Sequence, residues 1–77
     1  MILNYRAVIK RIGNFIAEVR KQQNMTQREL AEKIGVTRQT LSKYETGESL
    51  PDIERCKRLA DVFGVSMDDL VNYEKTD

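Results

Sequence analysis

The stretch TQRELAEKIGVTRQTLSKYETG, residues 26–47, decides the fold. Thr26 followed three residues later by Glu29 is a capping box, which predicts the start of a helix. Gly35 predicts its end, because glycine adopts the left-handed conformation at little cost. Thr37 can then cap a second helix that ends at the next glycine. The sequence therefore predicts two short helices whose connection is so brief that they must cross steeply.

The composition excludes several kinds of chemistry. A chain of 77 residues has room for one small domain, and a domain of this size buries only about 60% of its unfolded surface, which leaves few residues for an enzyme pocket. The absence of His removes the usual base at neutral pH, and Cys56, the single cysteine, can form neither an internal disulfide nor a zinc cluster. Asp61, Asp68 and Asp69 lack the spacing of a calcium loop. We expect no catalysis, no cofactor and no metal site.

No feature of the sequence indicates a membrane or an export route. No apolar run approaches the ~20 residues that span a bilayer, and we find no leader of signal-peptide form. A single thiol is also typical of a reducing compartment. We therefore expect a soluble protein of the cytoplasm.

Apolar residues recur at intervals of three and four, so we interpret the whole chain as helices. The first helix is predicted to begin after Asn4 and to end near residues 22–24, with Gly13 as a candidate break, since glycine costs about 1 kcal/mol relative to alanine in a helix. Asp52 can cap a fourth helix and Ser66 a short fifth one. The inward stripes are predicted to hold Ile2, Tyr5, Ile9, Ile12, Ile16 and Val19 in the first helix and Ile53, Cys56, Leu59, Ala60 and Phe63 in the fourth. The predicted fold is a compact, all-α domain of five helices.

The helix predicted over residues 38–46 is apolar beneath and polar outside. At 100° per residue, its outer side and flanks carry Arg38, Gln39, Ser42, Lys43 and Thr46. Arg and Gln can each make two hydrogen bonds to a purine edge, and Lys can reach guanine or phosphate. In a helix-turn-helix the first helix crosses the DNA backbone and the second lies in the major groove. The pattern favours binding of double-stranded DNA, and the alternative is an ordinary solvated face.

Charge is distributed unevenly along the chain, although the net charge is only +1. Residues 1–44 carry nine basic and three acidic side chains, a balance of +6, whereas residues 45–77 carry four basic and nine acidic ones, a balance of −5. If the two halves occupy different faces, the molecule has an electric dipole.

The chain resembles the large lambda-repressor-like, Cro-like and Xre-like helix-turn-helix family of bacterial and phage regulators. The resemblance covers about residues 10–73 and is carried by VRKQQNMTQ at the end of the first helix, by RELAEKIGVTRQTLSKYETG and by LPDIERCKRLADVFGVSMDDL. It implies a lambda-repressor-like DNA-binding domain over residues 10–73. Residues 1–9 would be a helical extension outside the match, and residues 74–77 a frayed tail.

The resemblance also implies which side chains touch DNA. Its base-reading positions correspond to Arg38, Gln39, Ser42 and Lys43. Its phosphate-contacting positions correspond to Thr26, Gln27, Thr40, Thr46 and Ser49. This chain departs from the family in the loop after the third helix, residues 46–49, which holds Glu48 and no basic side chain.

Arg20 and Glu45 match a pair that, in similar repressors, joins the first helix to the end of the reading helix. The resemblance implies a partly buried ion pair, for which the planar guanidinium of Arg is well suited. The alternative is two independent surface charges. In the first case the pair would hold the reading helix at its angle.

Two functions remain open on the sequence alone. The first is a transcriptional regulator, on family grounds a repressor, that binds a near-palindromic operator as a homodimer, because one reading helix contacts only a few base pairs. The candidates for the partner surface are apolar residues at the two chain ends: Met1, Ile2, Leu3, Tyr5 and Val8 at one end, and Val71 and Tyr73 at the other. The second is an antitoxin or antagonist that grips a protein partner through the acidic residues 45–77.

Overall fold

The computed structural model describes residues 5–72, which form five α-helices and no strand. The prediction of an all-α, five-helix fold is confirmed. The helices in chain order are α1 (Tyr5–Gln22), α2 (Gln27–Ile34), α3 (Arg38–Thr46), α4 (Ile53–Phe63) and α5 (Met67–Val71). No helix within this range is both long enough and apolar enough to cross a bilayer.

Local hydrogen bonds fix the two ends of α2. The hydroxyl oxygen of Thr26 accepts a bond from the backbone N–H of Glu29 at 3.0 Å, and the Thr26 N–H donates to the Glu29 carboxylate at 2.9 Å. The backbone bond from Thr26 holds the pKa of Glu29 below its usual value. Gly35 ends the helix at φ 75°, where its N–H reaches back to the last carbonyls. These contacts are those that the capping-box pattern predicts.

The other short helices start in the same way. Thr37 accepts a bond from the backbone N–H of Thr40 at the start of α3, and Asp52 accepts one from Arg55 at the start of α4. Ser66 begins α5 with a second capping box. The starts of α3, α4 and α5 are therefore each set by a side chain that bonds three residues ahead.

One hydrophobic core joins all five helices. Helix α1 packs against α3, α4 and α5, while α2 packs against α3 and α4. The rings of Phe15 and Phe63 meet edge to face, with their centroids 6.2 Å apart, and link α1 to α4. The largest fully buried side chains come from all five helices: Ile16, Leu30, Ile34, Leu41, Leu59 and Leu70.

Two residues that the sequence placed on inward stripes are exposed. Ile53 keeps 79% of its surface and Tyr5 keeps 68%. Each is the first residue of its helix, α1 or α4, and lies beyond the edge of the core. Their assignment to the core was wrong. Ile2, which was predicted to share the α1 stripe, and the predicted tail, residues 74–77, lie outside the described residues.

Helix α1 continues through Gly13 without a break. A side chain at this position would collide with the backbone carbonyl of Tyr44, and its Cβ would lie only 2.9 Å from the carbonyl oxygen of Glu45. Glycine at position 13 thus lets α1 rest directly on the last turn of α3. The glycine weakens α1 as a helix but permits the closest contact between the two helices.

We predict that Gly13→Ala lowers the free energy of unfolding by about 1–3 kcal/mol, the usual effect of forcing extra atoms into a packed contact. Helix propensity alone would give the opposite result, a gain of about 1 kcal/mol. Urea unfolding followed by circular dichroism measures the change. Asn14→Ala, at an exposed neighbouring position, is the control and should be neutral or slightly stabilising. A Gly13→Ala variant as stable as the wild type would contradict the close contact.

Candidate nucleic-acid interface

Helix α3 presents a polar face to solvent because two of its side chains anchor the other face. Leu41 and Tyr44 are buried in the core. Burial raises the pKa of the Tyr44 phenol above its usual value. Of the side chains predicted to read bases, Arg38, Gln39 and Lys43 are exposed and Ser42 is half-buried. The structure thus brings these four side chains together on one short helix.

The residues predicted to contact phosphates lie at three places around α3. Thr26 and Gln27 stand at the start of α2, where the first backbone N–H groups of a helix lack partners within the helix. Thr40 lies half-buried in the first turn of α3, where the Thr37 hydroxyl donates to its hydroxyl at 3.0 Å. Thr46 is the last residue of α3, and Ser49 lies in the connection that follows it.

The segment that ends α3 and leads out of it, residues 46–49, folds back on the helix end. The backbone N–H groups of Glu48 and Ser49 donate to the carbonyl oxygen of Lys43 at 2.9 Å and 3.2 Å. The Thr46 hydroxyl lies 3.2 Å from the Glu48 carboxylate. We call this segment the α3–α4 loop. It is compact, and its only charged side chain is acidic.

The guanidinium of Arg20 joins α1 to α3. Its Nε and Nη2 donate to the two carboxylate oxygens of Glu45 at 2.7 Å and 3.2 Å. Its Nη1 donates to the carbonyl oxygen of Met25 at 2.9 Å, which also ties down the α1–α2 connection. The two charged side chains keep only 12% and 7% of their surface. The structure therefore places this pair as a two-pronged, mostly buried contact.

Gln27 has a structural contact that the sequence did not reveal. Its side-chain N–H donates to Glu45 Oε1 at 3.0 Å, and its amide oxygen lies 3.5 Å from an Arg38 guanidinium nitrogen. Arg38 and Glu45 are seven residues apart on α3 and so share one side of that helix. The residue at the start of α2 thus contacts both ends of α3. The seven-residue spacing was visible in the sequence, but the position of α2 beside it was not.

No group of three or more metal-binding side chains occurs among residues 5–72. The lone thiol of Cys56 is buried on α4, and its Sγ donates to the carbonyl oxygen of Pro51 at 3.5 Å. The thiol therefore belongs to the core.

The exposed side chains of α3 offer hydrogen bonds and positive charge. Both suit recognition of base edges and phosphates.

The family model described as helix-turn-helix matches residues 16–70. The chain is 37% identical over 67 residues to the cryptic phage CTXphi transcriptional repressor RstR of Vibrio cholerae serotype O1, which covers 87% of this chain and 60% of RstR. It is 38% identical over 64 residues to the antitoxin PezA of Streptococcus pneumoniae serotype 4, which covers 83% of this chain and 40% of PezA. The chain thus spans less than two thirds of both relatives.

A solved structure with a similar fold is the P22 c2 repressor protein in complex with a synthetic operator. It superposes with a TM-score of 0.77 at 27% identity, over 82% of this chain and 96% of that one.

We predict that Arg20→Met lowers the free energy of unfolding by about 3 kcal/mol, because Glu45 would lose its charge partner in a mostly buried place. Glu45→Gln should cost less, since an amide oxygen can still accept a bond from the guanidinium. Thermal melting measures both. The control is Arg58→Met, which removes an exposed pair with Glu54 and should cost no more than about 0.5 kcal/mol. Equal melting temperatures for Arg20→Met and the control would contradict a structural role for the buried pair.

Proposed function

The chain belongs to the helix-turn-helix family, and on that premise we propose that it is a sequence-specific, double-stranded DNA-binding regulator of transcription. The observation that carries the proposal is the polar outer face of α3. Leu41 and Tyr44 anchor the opposite face of the helix in the core, which leaves this face exposed to solvent. Similarity to a phage transcriptional repressor favours repression over activation. Repression requires only that the protein occupy its DNA site. We place this action in the cytoplasm.

In the proposed complex, α3 enters the major groove with its N-terminal end. A helix of nine residues is about 14 Å long, so end-on insertion suits a groove about 12 Å wide. Arg38 and Gln39, in the first turn, reach base edges most deeply. Lys43 and Ser42 lie one turn later and contact bases near the groove wall. Arg is suited to guanine and Gln to adenine.

The phosphate contacts hold α3 in register. The Gln27 side-chain nitrogen carries two N–H groups, and its bond to Glu45 uses one of them. We assign the other to a DNA phosphate, which the backbone N–H groups at the start of α2 also attract. Thr26 and Thr40 contact the backbone on the same side, and Thr46 and Ser49 contact it at the far end of α3. Arg20 and Glu45 act indirectly by fixing the angle of α3.

A homodimer on a near-palindromic operator is part of the proposal. Two reading helices one DNA turn apart, ~34–36 Å, give the length of site that one helix cannot provide. Tyr5 and Val71, near the two ends of the described chain, expose 68% and 40% of their surface, which supports an apolar partner surface there.

A second candidate function is a protein-interaction module, and the similarity to the antitoxin PezA favours it. The acidic side chains Glu54, Asp61 and Asp68 are exposed on α4 and α5 and would form the contact surface. The two functions differ in which surface is essential, and both surfaces can be tested separately.

We predict that selection of duplexes from a random DNA pool at ~150 mM salt enriches a two-fold symmetric motif. The Gln39→Ala, Lys43→Ala double variant should lose this motif, because each lost base contact costs about 1–3 kcal/mol of discrimination. Lys33→Ala, which removes an exposed charge at the other end of α2, is the control and should retain it.

Residual binding without any enriched motif, falling steeply with salt, would mean phosphate attraction alone and would contradict sequence-specific reading. Variants with reversed charge at Asp61, Asp68 or Glu54 would then test the protein-interaction module. Loss of function in these variants, with Gln39→Ala and Lys43→Ala active, would favour the protein-interaction module.

We predict that sedimentation at tens of micromolar detects a dimer, either free or on the selected duplex, with two chains per site. A half-site spacing of about 10 base pairs in the motif would agree with it. Only monomer in both conditions would remove the dimer from the proposal and leave the DNA-reading surface unaffected.

A further inference from the structure

A groove separates the start of α1 from the α3–α4 loop. Its lining is Tyr5, Arg6, Ile9, Lys10, Gly47 and Glu48. The groove therefore joins the helical extension, which precedes the matched residues 16–70, to a loop proposed to contact DNA.

The lysine stem packs directly on the loop. A Cβ built on Gly47 would lie 3.0 Å from Lys10 Cγ and 3.4 Å from its Cα. Gly13, one turn later on α1, contacts the last turn of α3 in the same way. Helix α1 thus runs past the end of α3, so that Lys10 and Arg6, four residues apart, follow one another along the side nearest the loop. Both side chains are exposed.

The α3–α4 loop has no basic side chain to attract a phosphate. Its one charged side chain, Glu48, repels phosphate, and its carboxylate lies 3.2 Å from the Thr46 hydroxyl on the loop itself. No ion pair within residues 5–72 involves Lys10.

We propose that Lys10 and Arg6 contact the DNA phosphate backbone beside the α3–α4 loop and supply the positive charge that the loop lacks. The inference rests on the proposed function, since it needs α3 in the major groove. It extends the DNA-contacting surface to α1, on a part of the chain that precedes the matched family region. These contacts add affinity and salt dependence and carry no sequence preference.

The test is the salt dependence of binding to the selected duplex. Each phosphate contact contributes about 0.9 to the slope of log K against log salt. Lys10→Gln should therefore reduce the ratio of the affinities at 50 mM and 200 mM salt by about 3.5-fold. Arg6→Gln should act alike, and Lys10→Arg should retain the wild-type slope. The selected motif should be the same for all three variants, and their melting curves establish that they are folded.

Lys57→Gln is the matched control, because it removes an exposed lysine from α4, which packs against α1, α2 and α5. Its slope should be that of the wild type. If Lys10→Gln and Arg6→Gln also keep the wild-type slope while the wild type binds its motif, the inference is overturned and the proposed function stands. If the wild type selects no motif, the proposed function fails, and this inference fails with it.

A second arm separates phosphate contact from simple neutralisation of Glu48. Lys10→Gln is repeated in a Glu48→Gln background. A direct phosphate contact predicts the same loss of slope in both backgrounds, and Glu48→Gln alone should tighten binding. Disappearance of the loss in the Glu48→Gln background would mean that Lys10 only offsets the carboxylate, which overturns the proposal.

Discussion

The contact of the Arg20 guanidinium with Glu45 and Met25 is the interaction on which the arrangement of the first three helices depends. One planar group satisfies a carboxylate with two parallel bonds and still has a donor left for a backbone carbonyl. A lysine has a single charged nitrogen and could not span the same partners. Because both charged side chains are mostly buried, the pair tolerates little displacement. The orientation of α3 relative to α1 is thereby fixed at one point.

Helix α3 is held from two sides and left open on the third. Helix α1 reaches its last turn through Gly13, where the backbones touch, and α2 reaches both of its ends through Gln27. Leu41 and Tyr44 fill the space beneath. The remaining face makes few contacts within the molecule. A rigid support with a free polar face is the arrangement that recognition of base edges requires, since side chains must be placed before the DNA arrives.

Much of the fold followed from the sequence because its signals are local. Caps and terminal glycines such as Gly35 act within one turn, so the helix boundaries agree with the structure closely. Features that depend on how helices meet were harder to predict. Propensity made Gly13 a candidate break, although the reason for glycine there is a carbonyl on α3. Periodicity placed Ile53 inside, but it cannot tell where the core ends. The sequence predicted that Gln27 contacts a phosphate. Its hydrogen bond to Glu45 could not be predicted, because it depends on how α2 lies against α3. The DNA contacts themselves stay predictions.

The buried thiol of Cys56 makes local opening of the core measurable. Burial raises the pKa of this thiol, and the thiolate is the reactive form. The sulfur is therefore protected for as long as α4 stays packed and becomes reactive only when the helix moves away. Cys56 is the single cysteine of the chain. The rate at which a thiol reagent modifies the protein therefore measures how often the core opens around α4. Cys56 lies in the same buried cluster as Tyr44 of α3, so its reactivity reports on the packing beneath the reading helix.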